Sequence, residues 1–181
     1  MTLLRVADAG LVRGGRLLFE GFDLALGDGE AAHVTGANGC GKSSLIRMIA
    51  GLLKPSAGTV ERAAVALADD ALALDRELPL GRALGFWGGR HLAHAIAAFD
   101  LDRLCDVPVR LLSTGQARRA RLARVAASGA PLWLLDEPLS GLDQAGIDQL
   151  DAVIAAHRAG GGAVLAASHV PLGGEWREVR L

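Results

Sequence analysis

Residues Gly36-Ala37-Asn38-Gly39-Cys40-Gly41-Lys42-Ser43 match the pattern G-x-x-x-x-G-K-[ST] at every specified position, and no other stretch restricts the fold as strongly. The pattern requires a strand before it and a helix after it. Ala31-Ala32-His33-Val34 reads as a short buried strand, and Ser44 to Ala50 has helical apolar spacing closed by Gly51. The three glycines allow the backbone to curl into a nest of N–H donors, and the helix adds the positive end of its dipole. Lys42 is then placed for the β- and γ-phosphates, the Ser43 hydroxyl for Mg²⁺, and Ser44 follows in the first helical turn. A chain with this element is expected to bind a nucleoside triphosphate.

The 181 residues are expected to form one domain, 1–181, with a helical insert over 69–112. A net charge of −1 gives no global steering toward nucleic acid or an anionic membrane, so no nucleic-acid partner is expected. The charge-free run from Ala159 to Gly174 is interrupted by glycines, His169 and Pro171, which excludes a spanning helix there. The first residues, Met1-Thr2-Leu3-Leu4-Arg5-Val6, lack the pattern of a signal peptide. Cys40 and Cys105 have no metal spacing, and Cys40 lies inside the phosphate loop, so both are expected as reduced thiols in a cytosolic setting.

Leu3–Val12 and Arg16–Leu26 alternate loosely around Gly14-Gly15 and read as an antiparallel strand pair. One strand is expected from Thr59 to Ala68. Helical spacing follows at Leu80–Leu84 and Leu92–Phe99, broken by Pro79, Gly81, Gly85 and Gly88-Gly89. Ser113 is placed to cap a helix reaching about Ala127, and Pro131–Leu135 reads as a buried parallel strand. A helix over about 144–158, a strand at Ala163–Ala167 and a last strand near Trp176–Arg180 complete an α/β fold with a mostly parallel sheet.

The apolar strand Leu132-Trp133-Leu134-Leu135 ends in Asp136-Glu137. A carboxylate at that end of a strand beside a phosphate loop suits Mg²⁺, which assigns Asp136; Glu137 can then orient and polarise an attacking water. Some 20 residues earlier, Leu112-Ser113-Thr114-Gly115-Gln116 opens a helix. LSTGQ resembles the LSGGQ signature of the ATP-binding-cassette (ABC) ATPases. The order of phosphate loop, helical insert, signature, LWLLDE, Ser140-Gly141-Leu142-Asp143 and a lone His169 after a strand is that family's order over essentially the whole chain.

The resemblance implies a P-loop NTPase fold of ABC type, with a small antiparallel β-subdomain and a short helical insert, that hydrolyses ATP with Mg²⁺. It implies two cassettes pairing head-to-tail, expected as a homodimer, so that Ser113, Gly115 and Gln116 of one close over the nucleotide of the other. It implies a coupling role for Asp143 and a γ-phosphate contact for His169, which joins Glu137 as a catalytic residue. The family's Mg²⁺-touching glutamine is absent, and the register falls on Asp69. Its adenine-stacking aromatic is also absent, and the register puts Arg13 there, whose guanidinium plane can stack on a base.

Asp106-Val107-Pro108-Val109-Arg110 leading into LSTGQARRARLAR, then PLWLLDEPLSGLD and GGGAVLAASHVPL, is similar to the ATP-binding subunits of the cytochrome c maturation system, a haem exporter. That implies integral membrane subunits as partners and a place on the cytoplasmic face of the inner membrane. An ABC exporter subunit for another cargo and a non-transport ABC ATPase are the alternatives. Leu78, Leu80, Phe86 and Trp87 are the candidate contacts for a membrane subunit, set against the alternative that they fill the insert's own core.

Overall fold

The computed structural model describes residues 1–181. Strands β1 (Thr2–Arg13) and β2 (Arg16–Gly27) form the expected antiparallel hairpin about Gly14-Gly15. β3 (Ala31–Thr35) leads through the phosphate loop into α1 (Lys42–Ile49). The stretch predicted as one strand is two. β4 (Ala57–Arg62) pairs antiparallel with β1, whereas β5 (Val65–Ala68) lies in a separate parallel sheet. Ala63 and Ala64 carry the chain between sheets, and both halves have strand-like composition, so the local pattern held no sign of the break.

The insert contains α2 (Leu80–Gly85), α3 (Leu92–Ala98) and two 3₁₀ turns, at Asp102–Leu104 and Val109–Leu111. Then follow α4 (Thr114–Ala127), β6 (Leu132–Asp136), α5 (Gln144–Ala159), β7 (Ala163–Ala167) and β8 (Arg177–Arg180). The parallel sheet has the order β5-β6-β7-β3-β8, and the antiparallel sheet the order β2-β1-β4.

The unbroken apolar strands are explained by burial on both faces. Side chains alternate across a strand, so Leu132 and Leu134 face a core shared with β1, β2 and α1, while Trp133 and Leu135 face a core shared with α4, α5 and the insert. In β7, Leu165 and Ala167 join the first core, Val164 and Ala166 the second. One sheet thus supports both layers, and the C-terminal ends of β3 and β6 come to lie near one another beside the N-terminus of α1. In an open parallel sheet, that is the edge where ligands bind.

Candidate nucleotide-binding site

Gly41 is the N-cap of α1 with φ 117°, a conformation that disfavours any side chain, and a Cβ there would press on Leu18 and Phe19 at 3.3 Å. The hairpin therefore packs directly against the loop. Lys42 is buried, and its Nζ donates to the carbonyls of Gly36 at 2.8 Å and Ala37 at 3.1 Å, which holds the ammonium within the curl of the loop. Across the sheet, the Ser43 hydroxyl donates to Asp136 Oδ1 at 3.0 Å. Burial pushes the Asp136 carboxyl above its ordinary pKa, the Ser43 hydrogen bond opposes that, and the nearby charge of Asp70 adds to it.

Glu137 takes the next position with φ +48°, in the left-handed region that a non-glycine residue rarely occupies. Its N–H donates to Ala167 O at 2.8 Å, and its carbonyl accepts from Ser140 N at 3.1 Å, so neighbouring strand and loop hold the turn. Glu137 Oε2 lies 2.8 Å from His169 Nδ1. An ionised carboxylate only accepts, so the imidazole carries its proton on Nδ1 and presents Nε2 outward. Backbone strain at Glu137 and its pairing with a residue 32 positions away were not legible in the sequence.

An open cleft of about 430 Å³ is lined among others by Arg13, Asn38, Gly39, Lys42, Ser43, Ser44 and Glu137, while His169 lines a separate cleft of about 480 Å³ with His33, Gly36 and Trp176, and Asp136 lines neither. Arg13 stands at the hairpin end of the first cleft, where the sequence expected the base. The donor set fits a magnesium nucleotide. Ser43 and Asp136 offer hard oxygen ligands, and no group of three His, Cys, Asp or Glu side chains could cage a metal, which suits an ion completed by phosphate oxygens and water. Cys40 and Cys105 are both free thiols.

Asp69 does not line the cleft. Its Oδ1 accepts from Ala71 N at 3.0 Å and its Oδ2 lies 3.5 Å from Arg47 Nε, so an Asx turn and an arginine hold the carboxylate. It is the charge of Asp70, not Asp69, that is felt at Asp136.

Ser113, Gly115, Gln116 and Asp143 line none of the cleft of their own chain. Ser113 caps α4 in a reciprocal capping box. Its Oγ accepts from Gln116 N at 3.3 Å, and its N–H donates to Gln116 Oε1 at 2.9 Å. Asp143 caps α5, accepting from Gly146 N at 2.9 Å. Gly115 has open space where a Cβ would stand.

Two further residues had no signal in the sequence. Arg121 and Arg124, on the buried face of α4, donate to the carbonyls of Asp69 and Leu67 and tie α4 to the end of β5. The Arg124 guanidinium also lies 4.9 Å from the ring centre of Trp87. Trp87 is 40% exposed and Phe86 83%, the two rings packed edge to face, whereas Leu80 is fully buried. Leu80 is therefore core and is withdrawn as a surface contact.

Residues 19–140 match the ABC transporter family profile. The chain is 56% identical over 180 residues to the cytochrome c biogenesis ATP-binding export protein CcmA of Sphingopyxis alaskensis, spanning 95% of this chain and 93% of that one. It is 58% identical over 171 residues to the protein of the same name from Novosphingobium aromaticivorans, spanning 93% and 90%. Among solved structures it resembles an ATP-binding subunit of an ABC transporter, with a TM-score of 0.86 and 25% identity over 93% of this chain and 80% of that one. A putative ABC transporter ATP-binding protein of Pyrococcus furiosus shares the fold, with a TM-score of 0.85 and 19% identity over 98% and 96% of the two chains.

Proposed function

The chain belongs to the ABC transporter family of ATP-binding proteins, and within it to the cytochrome c biogenesis ATP-binding export proteins; from that premise we infer that it is the ATP-hydrolysing subunit of a cytochrome c maturation complex that exports haem. It is an ATPase. The observation that carries the mechanism is the Glu137–His169 hydrogen bond beside Lys42, Ser43 and Asp136. Lys42 and the loop N–H groups would hold the β- and γ-phosphates, and Ser43 and Asp136 would hold Mg²⁺. When bound, that ion would neutralise phosphate charge as the γ-phosphoryl group departs. Glu137 would orient the attacking water and accept its proton. His169 would fix the Glu137 carboxylate through Nδ1–H, and in its doubly protonated form it would donate from Nε2 to a phosphoryl oxygen. Arg13 would stack on the adenine.

We further propose that two copies pair head-to-tail, so that Ser113, Gly115 and Gln116 of one, with Asp143 beside them, complete the site of the other. No helix of the chain is long and apolar enough to cross a membrane. Passage would be provided by separate membrane subunits, with this chain bound at their cytoplasmic face.

Expression of this chain in Sphingopyxis alaskensis deprived of its own relative tests the reading. It should restore c-type cytochromes, read by their absorption, and the Lys42→Ala variant should not. ATPase activity without restored cytochromes would assign the chain to another cargo.

The exposed pair Phe86 and Trp87 is the proposed anchor for a membrane subunit. Phe86→Ala is expected to change stability by no more than about 0.5 kcal/mol, as at other exposed sites. It should weaken co-purification with the membrane subunits by roughly 30-fold or more, the loss typical of a central aromatic anchor. Unchanged co-purification would remove this pair from the interface.

A further inference from the structure

Beside the nucleotide cleft lies a second, smaller cavity of about 220 Å³ that the mechanism above does not use. It is lined by Asp70, Thr114, Arg118, Arg121 and Ser140, among others. Thr114, Arg118 and Arg121 share one face of α4, while Asp70 follows β5 and Ser140 follows β6. Arg121 is 93% buried by its 7% exposure, and its Nε has no hydrogen-bond partner. The Arg118 guanidinium packs against Gly141, where a Cβ would fall 0.9 Å from its Nη1 and displace it.

No carboxylate comes within ion-pair distance of either guanidinium, since the salt bridges of the chain involve other residues. Asp70 is the one carboxylate lining the cavity, against two arginines, so the lining carries a net positive charge. Burial acts most strongly against the charged form of Arg121; Asp70 favours that form, Arg118 opposes it, and Asp69 and Asp136 favour it more weakly. A buried cation with an unmade hydrogen bond, a second cation beside it and two hydroxyls together make a lining that an oxyanion would satisfy. The cavity also adjoins the hydrolytic residues: Ser140 N donates to the Glu137 carbonyl, and the Asp136 charge is felt at Arg121.

We propose that this cavity is a phosphate oxyanion subsite, with Arg121 and Arg118 as its cations and Thr114 and Ser140 as its hydroxyl partners, separate from the loop that holds the nucleotide. The assignment of phosphate rests on the ATPase reading, because hydrolysis is what releases a tetrahedral oxyanion here. Its source is either free inorganic phosphate or the phosphoryl end of a nucleotide.

Titration calorimetry with inorganic phosphate, at low ionic strength and without nucleotide, tests it on the full chain. Wild type should bind phosphate. Arg121→Met and Arg118→Gln should each weaken that binding by at least about tenfold, the scale of one charge-assisted hydrogen bond, with ADP affinity unchanged. Lys42→Ala should do the reverse, losing ADP and keeping phosphate. Arg118 is only half-buried, so its variant carries the test if Arg121→Met melts early. A non-hydrolysable ATP analogue that displaces phosphate from Lys42→Ala identifies the phosphoryl end of a nucleotide as the ligand. Failure to displace it identifies free phosphate. Absence of phosphate binding in wild type overturns the proposal. So does phosphate binding that disappears in Lys42→Ala and survives in both arginine variants. Binding at equilibrium needs no hydrolysis, so an inactive ATPase would count against the function above and leave this result standing.

Discussion

Replacing Glu137 with glutamine is expected to slow ATP hydrolysis by about 10²–10³-fold while ATP binding persists. The amide oxygen can still accept from His169 Nδ1, whose present distance to the carboxylate is 2.8 Å, so the turn and its partner stay in place. What is lost is the capacity to accept a proton from water. Binding of the ground-state phosphates depends instead on Lys42 and the loop N–H groups, which the substitution does not touch. Single-turnover hydrolysis and equilibrium ATP binding, measured on the same preparation, separate the two effects. Hydrolysis at the wild-type rate would show that another group removes the proton.

The second large effect is expected from Ser113→Arg, which should abolish turnover while ATP affinity of the isolated chain stays nearly intact. Ser113 is exposed at the N-terminus of α4 and lines no part of its own chain's cleft, so its action on hydrolysis requires a second copy. Loss of the capping box costs about 1 kcal/mol, too little to unfold the chain. Mixing Ser113→Arg with Lys42→Ala then gives a sharper result. In a head-to-tail mixed dimer, one site combines the intact phosphate loop of the first subunit with the intact Ser113 of the second, and the other site is doubly damaged. Activity should reappear on mixing two inactive proteins. If mixed dimers form and remain inactive, the head-to-tail arrangement loses its support.

The elements that touch phosphate were readable in the sequence because their chemistry is local. A nest of N–H groups needs consecutive backbone, and a helix dipole needs the helix to start immediately after it, so Gly36 to Ser43 carried both the motif and its context. The same holds for Ser113 and Gln116, whose capping box closes within one turn. The resemblance to ABC ATPases added the relations between these elements. It assigned Asp69 by register, and that assignment met a carboxylate already held by Arg47 and Ala71. It gave Leu80 an interface role, whereas helix periodicity turned that side chain inward.

By itself the sequence determined the phosphate loop, the strand that ends in Asp136-Glu137, the cap of α4 and the α/β class, since each follows from residues adjacent along the chain. Only the tertiary structure decided that Glu137 adopts a strained turn paired with His169, that Thr59–Ala68 divides between two sheets, and that Arg118, Arg121, Asp70 and Ser140 enclose one cavity. The reason is the sheet order. β5 and β6 are neighbours although α2, α3 and α4 intervene in sequence, and that adjacency brings the residues after each strand to the same face of α4. Pairings across such separations depend on which strands meet, and no local pattern of side chains encodes that.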